Sequence, residues 1–335
     1  MEKKADRQRS KHHIFKGLKF TSAALLSIVL AKELGLLYAP TAGIITILSI
    51  QNTKRSTLNT AAKRSIAFAA AVLLAWLCFQ GLGYTVFSFG VYLFLFSTLC
   101  FACGWVEAVA MVSVLVTHFL TEGNMNWKIL INEAGLFVIG TGTGIIFNSA
   151  LRRREKEFHI LADMTDADIK GVLKRMSQWL LVEDKSGYND QCFAELEKKA
   201  DKAKKKAYEN WENTLFSSDY REIDYIEMRE RQIIVLKHMY NSIKMLKGMP
   251  AQTEKVAQII GTVERDYHKG NPVDNLIQEL ERVFEDMKKE RLPQNREEFE
   301  DRAVLYYIMK QLDELLRHKQ QFMRRNKNLK GIRTE

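Results

Sequence analysis

Long apolar runs separated by short polar segments make up most of the first 150 residues. A membrane-spanning helix needs about 17–25 mostly apolar residues. The pattern predicts six spans, at residues 18–37, 39–53 and 65–84, two within 86–120, and one at 129–150. The second span is short and opens at Pro40, which a helix start tolerates because no backbone hydrogen bond is lost there.

The stretch from Val86 to Leu120 is too long for one span. It contains a single charged residue, Glu107, in 35 residues. As one helix it would extend about 52 Å, whereas the hydrocarbon core of a bilayer is about 30 Å thick. We therefore predict two spans with a turn between Gly104 and Glu107.

The second half of the chain is charged and has apolar residues at helical spacing. Examples are Ile226, Ile233, Leu236, Tyr240 and Ile243, and later Val304, Ile308, Leu312 and Leu315. Breaks are expected near 183–190, 249–250, 270–272 and 293, which leaves about five helices packed as a bundle.

The predicted fold is all-α, with a six-helix transmembrane bundle followed by a cytoplasmic helical bundle. The predicted domains are a basic cytoplasmic tail at 1–16, a transmembrane domain at 17–151 and a cytoplasmic helical domain at 152–335.

Charge fixes the expected orientation. Residues 1–150 hold 13 Lys and Arg against 6 Asp and Glu, while 151–335 hold 37 against 34, for a net charge of +10. The basic clusters beside the apolar runs are Lys3, Lys4, Arg7, Arg9, Lys11 and Lys16, then Lys54, Arg55, Lys63 and Arg64, then Arg152, Arg153 and Arg154. Six spans place all three clusters, and both termini, in the cytoplasm. Such clusters are typical of contact with the lipid bilayer of the plasma membrane and not of nucleic-acid binding.

Ionisable residues inside the predicted spans are candidates for function, because burying charge in a membrane is costly. They are Lys32, Glu33, Glu107, His118 and Glu133. An antiparallel hairpin would bring His118 and Glu133 to a similar depth near the outer surface, where Lys32 and Glu33 could join them. One interpretation is a proton-linked or substrate-binding vestibule. The alternative is structural, with Lys32 and Glu33 extending to the interface and His118 pairing with Glu133.

A second candidate site lies at the end of the second span. Gln51, Asn52 and Thr53 precede Lys54 and Arg55, and an arginine can hold a carboxylate through two parallel hydrogen bonds. A role as a positive-inside anchor explains the two cations equally well, but it does not explain Gln51 and Asn52.

The remaining motifs indicate no enzyme. Gly135, Gly140, Gly142 and Gly144 in the last span favour close helix packing over a ligand site. The sequence has no P-loop, no Ser/His/Asp arrangement and no metal-ligand spacing. No cofactor and no metal are therefore predicted.

Several short motifs occur in an order that resembles the aromatic acid exporter family, in its six-span bacterial branch with a helical C-terminal domain, within the fusaric-acid-resistance-like superfamily. In the apolar half they are Pro40-Thr41-Ala42-Gly43-Ile44, Ser49-Ile50-Gln51, Thr53, Thr117-His118, Asn132-Glu133 and Asn148. In the charged half they are Met228-Arg229, Gln232, Leu236, Arg302-Ala303, Leu312, Leu316 and Lys319.

The resemblance implies a plasma-membrane exporter of aromatic carboxylic acids or similar small organic anions, with the proton gradient as the expected driving force. It adds Asn132 to the pathway candidates. Related exporters often carry twice as many spans, so a homo-oligomer (a dimer or higher) is expected. The alternative function is a membrane-anchored interaction or regulatory protein that acts through its cytoplasmic helical domain.

Overall fold

Twelve α-helices, one 3-10 turn and no strands form in the part of the chain that the structure describes. The computed structural model describes residues 2–151, 154–215, 219–268, 270–271 and 273–331, with side chains from Ile14 to Asn326. The predicted all-α class is confirmed. The predicted anchors Arg152 and Arg153, the break residue Pro272 and the basic side chains before Ile14 lie outside these residues.

Two compact units divide the chain. The membrane unit comprises Met1–Arg153 and Glu212–Phe216, and the C-terminal unit comprises Arg154–Trp211 and Ser217–Glu335. Each unit has its own apolar core.

The membrane unit is divided into helices by polar caps and glycines. Its helices are α1 (Glu2–Glu33), α2 (Ala39–Ser49), α3 (Lys54–Leu82), α4 (Val86–Cys103), a 3-10 turn (Val106–Ala108), α5 (Val109–Glu122) and α6 (Trp127–Ser149). Thr53, Thr85 and Asn126 each accept a backbone N–H at the start of a helix. Gly104 and Gly123 follow α4 and α5 with positive φ, which favours glycine.

The predicted count of six spans is not confirmed. Among the described residues, α1, α3, α4 and α6 are long and apolar enough to cross a membrane. The other two helices, α2 with 11 residues and α5 with 14, extend only about 16 and 21 Å. The turn expected between Gly104 and Glu107 is present as the 3-10 turn.

The predicted basic loop before the third span is helical. Thr53 caps α3 by accepting the Ser56 N–H, so the helix begins at Lys54 and not near residue 65. Lys63 and Arg64 therefore lie inside α3. Clusters of charged residues are typical of loops beside membrane spans, so composition alone does not indicate that this segment is helical.

The short helix α2 lies parallel to α6 and is held at both ends by asparagines. At one end Asn132 Oδ1 accepts the Leu37 N–H (2.7 Å), and Asn132 Nδ2 donates to the Leu37 carbonyl (3.2 Å). At the other end Asn148 Nδ2 donates to the carbonyls of Gln51 (3.0 Å) and Thr53 (3.2 Å). The segment 37–53 thus follows α6 over the 16 residues from Asn132 to Asn148, about 24 Å of helix.

Six helices form the C-terminal unit among its described residues, where about five were predicted. They are α7 (Glu155–Leu180), α8 (Gln191–Glu212), α9 (Arg221–Met245), α10 (Gln252–Asp266), α11 (Asp274–Lys288) and α12 (Arg296–Gly331). The prediction missed the break between Glu212 and Arg221, a segment without glycine or proline. The predicted apolar stripes of α9 and α12 are buried except for the half-buried Val304, and these two helices pack against each other.

Four glycines on α6 are predicted to allow close helix packing. Two of them contact α2. A Cβ at Gly140 would lie 2.6 Å from the Ile45 Cβ and 2.8 Å from the Ala42 carbonyl oxygen, and one at Gly144 would lie 2.7 Å from the Ser49 Cβ. A Cβ at Gly142 would meet nothing within 4 Å.

These contacts predict opposite effects for two similar substitutions. Gly140→Ala should destabilise the protein by about 1–3 kcal/mol, because the added methyl forces α2 away from α6. Gly142→Ala should be neutral or stabilising by up to about 1 kcal/mol, because alanine is the better helix former. Thermal melting of both purified variants in one detergent measures the difference. Equal melting temperatures would contradict the α2–α6 contact.

Candidate functional site

A buried His–Glu pair connects α5 to α6, beside the start of α2. His118 is in the last turn of α5, and Glu133 is in the second turn of α6. Their His118 Nδ1 and Glu133 Oε2 atoms are 2.6 Å apart. Only 7% of His118 and none of Glu133 is exposed. The structure therefore brings together the two residues that the hairpin argument paired.

Neighbouring polar groups fix this pair in place. Asn132 Nδ2 donates to Glu133 Oε1 (2.9 Å), and the Thr41 hydroxyl lies 3.4 Å from His118 Nε2. The Tyr38 ring stacks on the imidazole at 4.1 Å between centroids with an angle of 10°. Tyr38 adopts a left-handed φ of 60°, unusual for a residue other than glycine. Both carboxylate oxygens and both imidazole nitrogens thus have a polar neighbour.

The pair is chemically suited to carry a proton. A buried carboxylate is costly unless a cation or hydrogen bonds compensate it, and a protonated imidazole supplies such a cation. Gain or loss of one proton changes the net charge of the pair by one in a site with little access to water.

Lys32 and Glu33 do not join this cluster. Both lie exposed at the end of α1, and their side chains form no hydrogen bond or ion pair with any residue that the structure describes. The alternative that they extend to the membrane interface stays a prediction.

The second candidate site already contains a carboxylate from the chain itself. The Thr53 hydroxyl donates to Glu212 Oε2 (2.9 Å), and the Lys54 N–H donates to Asn213 Oδ1 (3.1 Å), both within the membrane unit. Asn52 is exposed, whereas Gln51 and Arg55 are half-buried. Gln51 Nε2 donates to the Leu48 carbonyl (3.3 Å). These residues lie at the opposite end of α2 from His118.

The sequence does not predict three residues of the membrane unit that lie at or beside its polar sites. Tyr38 contacts His118, Asn148 holds the end of α2, and Arg64 is 4% exposed within α3. A signal for Arg64 was present in the sequence. It shares the buried face of α3 with the small and polar residues Thr57, Thr60, Ala67, Ala71 and Ala75. The described residues contain no group of three or more His, Cys, Asp or Glu side chains placed to hold a metal ion.

The C-terminal unit encloses a buried charged cluster around Arg229. Arg229 is fully buried, and its Nε lies 2.8 Å from Asp166 Oδ1. Its Nη1 donates to Gln232 Oε1 (2.8 Å) and to the Tyr267 hydroxyl (2.5 Å). Gln232 Nε2 in turn donates to the Leu315 carbonyl (2.7 Å). The cluster thereby ties α7, α9, the end of α10 and α12 together.

Lys319 brings a second cation to this cluster. It is 1% exposed, donates to the His268 carbonyl (2.5 Å) and lies 4.1 Å from the Tyr267 ring centroid. Burial, and then the positive charge of Arg229, lower the pKa of Lys319 to about 7. Protonation of Lys319 therefore adds positive charge to a core that already holds an arginine.

The two units together define a class. Within the described residues, four apolar helices of spanning length, a buried polar pair between α5 and α6, and a charged helical unit that follows in the chain describe a multi-pass membrane protein with an internal polar site. Comparison with family models then gives the family. The model of aromatic acid exporter family member 1 matches residues 14–151, and that of the aromatic acid exporter C-terminal domain matches residues 155–320. The chain belongs to the aromatic acid exporter family.

Individual relatives are distant. The uncharacterized protein YqjA of Bacillus subtilis (strain 168) is 23% identical over 321 residues, which cover 96% of this chain and 97% of YqjA. A crystal structure of a membrane protein from Clostridium difficile 630 is 24% identical, with a TM-score of 0.42, and covers 49% of this chain and 98% of its own.

The pKa of Lys319 predicts how stability depends on pH. Above pH 7 the folded protein holds this lysine neutral, while the unfolded chain keeps it protonated up to about pH 10.4. Stability should therefore rise with pH, by about 1.4 kcal/mol between pH 6 and pH 8 from this group. Lys319→Met removes this pH dependence. The melting temperature of the variant, relative to that of wild type, should therefore be higher at pH 6 than at pH 8.

The exposed Lys310, on the same helix, supplies the control. Lys310→Met should shift the melting temperature equally at the two pH values. An equal shift for Lys319→Met would show that Lys319 stays charged in the folded protein.

Proposed function

We propose that this protein exports aromatic carboxylic acids, or similar small organic anions, as a secondary transporter coupled to protons. The observation that carries the proposal is the buried His118–Glu133 pair inside the membrane unit of a chain that belongs to the aromatic acid exporter family. No enzymatic reaction is part of the proposal.

Proton coupling suits such a cargo. A carboxylic acid with a pKa of about 4 is ionised at neutral pH, so its anion must cross a hydrocarbon core that excludes charge. A proton that moves the opposite way supplies free energy, and the His118–Glu133 pair can bind and release one. The proposal places the protein in the plasma membrane with both termini in the cytoplasm.

A homo-oligomer is also part of the proposal. The part of the chain that the structure describes has four helices of spanning length, with α2 and α5 shorter, and these are few to enclose a pathway. Cross-linking in native membranes should therefore yield a dimer or higher species, and a band of monomer alone would contradict this.

Efflux from cells tests the function. Cells that overexpress the protein should release labelled 4-hydroxybenzoate faster than cells that lack it, and a protonophore should abolish the difference. Glu133→Gln should reduce the difference at least tenfold, because the amide keeps a hydrogen bond to His118 but cannot accept a proton.

Glu33→Gln is the matched control, since it makes the same change at an exposed site without contacts in the described structure. It should export like wild type, with membrane levels of all variants checked by immunoblot. Equal release with and without the protein, over a panel of aromatic acids, would overturn the proposal. The membrane-anchored interaction protein would then be the better hypothesis.

A further inference from the structure

Arg64 is a buried cation of the membrane unit, beside the end of α2 and the 3-10 turn. It is 4% exposed and lies on the inward face of α3. A charged side chain at such a position is costly and is retained only where something compensates it.

The contacts of Arg64 are with neutral groups. Its Nε donates to the Glu107 carbonyl (3.2 Å), and its Nη1 donates to the Leu48 carbonyl (2.9 Å) and the Ser49 hydroxyl (3.4 Å). The Glu107 carboxylate interacts with Arg64 only electrostatically, and it accepts a hydrogen bond from the Thr60 hydroxyl (2.7 Å). Within the described structure no carboxylate lies within 4 Å of the guanidinium, and Nη2 makes no hydrogen bond. Two N–H groups of a buried cation therefore remain available.

A hydroxyl without a partner lies at the same level of α6. The antiparallel register of α3 and α6 is given by two contacts, Asn148 donating to the Thr57 hydroxyl and Phe68 stacking on Phe137. Eleven residues along α3 thus correspond to eleven residues back along α6. Arg64, seven residues after Thr57, is therefore level with Thr141. Thr141 is 6% exposed, and its hydroxyl has no hydrogen-bond partner in the structure.

An aromatic surface adjoins these two polar groups. The rings of Phe68 and Phe137 stack with centroids 5.1 Å apart and an angle of 4°. Each ring is four residues, about one helical turn, from Arg64 or Thr141 on its own helix. An aromatic acid carries its carboxylate on or near its ring. This arrangement matches the protein, where a cation and a hydroxyl lie one helical turn from two aromatic rings.

We propose that Arg64 Nη2 and the Thr141 hydroxyl bind the carboxylate of an aromatic acid in transit, while its ring packs against Phe68 and Phe137. This inference rests on the proposed export function and names its substrate-binding residues. Charge-assisted hydrogen bonds from the guanidinium compensate both charges, and aromatic contacts select a flat ring.

The site is distinct from the proton-binding pair. Thr141 lies eight residues after Glu133 on α6, about 12 Å along the helix axis. Binding and proton transfer can therefore be changed separately.

Equilibrium binding of labelled 4-hydroxybenzoate to the purified full-length protein in nanodiscs tests the proposal. Thr141→Val removes a hydroxyl that makes no hydrogen bond in the structure, so the fold should be retained and the Kd should rise roughly tenfold. Arg64→Lys keeps the charge but loses the planar donor set, and should raise the Kd by about 10-fold or more. Thr143→Val, two residues further on α6, is the matched control and should leave the Kd unchanged.

The outcomes separate this inference from the export proposal. Glu133→Gln should bind the acid normally while it fails to export, which would support both. Unchanged affinity in Thr141→Val and Arg64→Lys, with wild type binding and exporting, would overturn the site but leave export standing. Wild type that neither binds nor exports aromatic acids would overturn both.

Discussion

The parallel alignment of α2 with α6 is the interaction on which the membrane unit depends. A short helix buried in a membrane has unsatisfied N–H and C=O groups at both ends, and no water is present to satisfy them. Asn132 supplies both a donor and an acceptor at Leu37, and Asn148 satisfies two carbonyls beyond the other end. Gly140 and Gly144 allow the close approach that these hydrogen bonds require. Without this partner α2 would expose polar backbone to lipid.

The same helix touches both polar sites of the membrane unit. Near its start Thr41 lies against His118, and at its end the Leu48 carbonyl accepts a hydrogen bond from Arg64. A displacement of α2 would therefore change contacts at the proposed proton site and at the proposed carboxylate site together. In an exporter that exchanges a proton for an anion, such a shared element is a physical means of coupling the two events.

The C-terminal unit buries two cations, Arg229 and Lys319, and each is stabilised in a different way. Arg229 has the Asp166 carboxylate and several hydroxyl and amide partners, so its charge is compensated within the core. Lys319 has a backbone carbonyl and the Tyr267 ring, and burial lowers its pKa to about 7. The difference between the two cations follows from chemistry, since a guanidinium remains charged, whereas an ammonium can lose its proton.

The sequence by itself determined the all-α class, the apolar and charged halves, and His118 and Glu133 as residues that a hairpin would pair, because apolar length and helical spacing are local properties. It also indicated that glycines on α6 permit close packing. Only the tertiary structure decided that α5 is short, that Arg64 lies inside a helix, and that Thr141 is level with it. Helix ends and register depend on contacts between residues far apart in the chain, such as Leu37 with Asn132 and Phe68 with Phe137. Composition and hydrophobic periodicity do not specify those contacts.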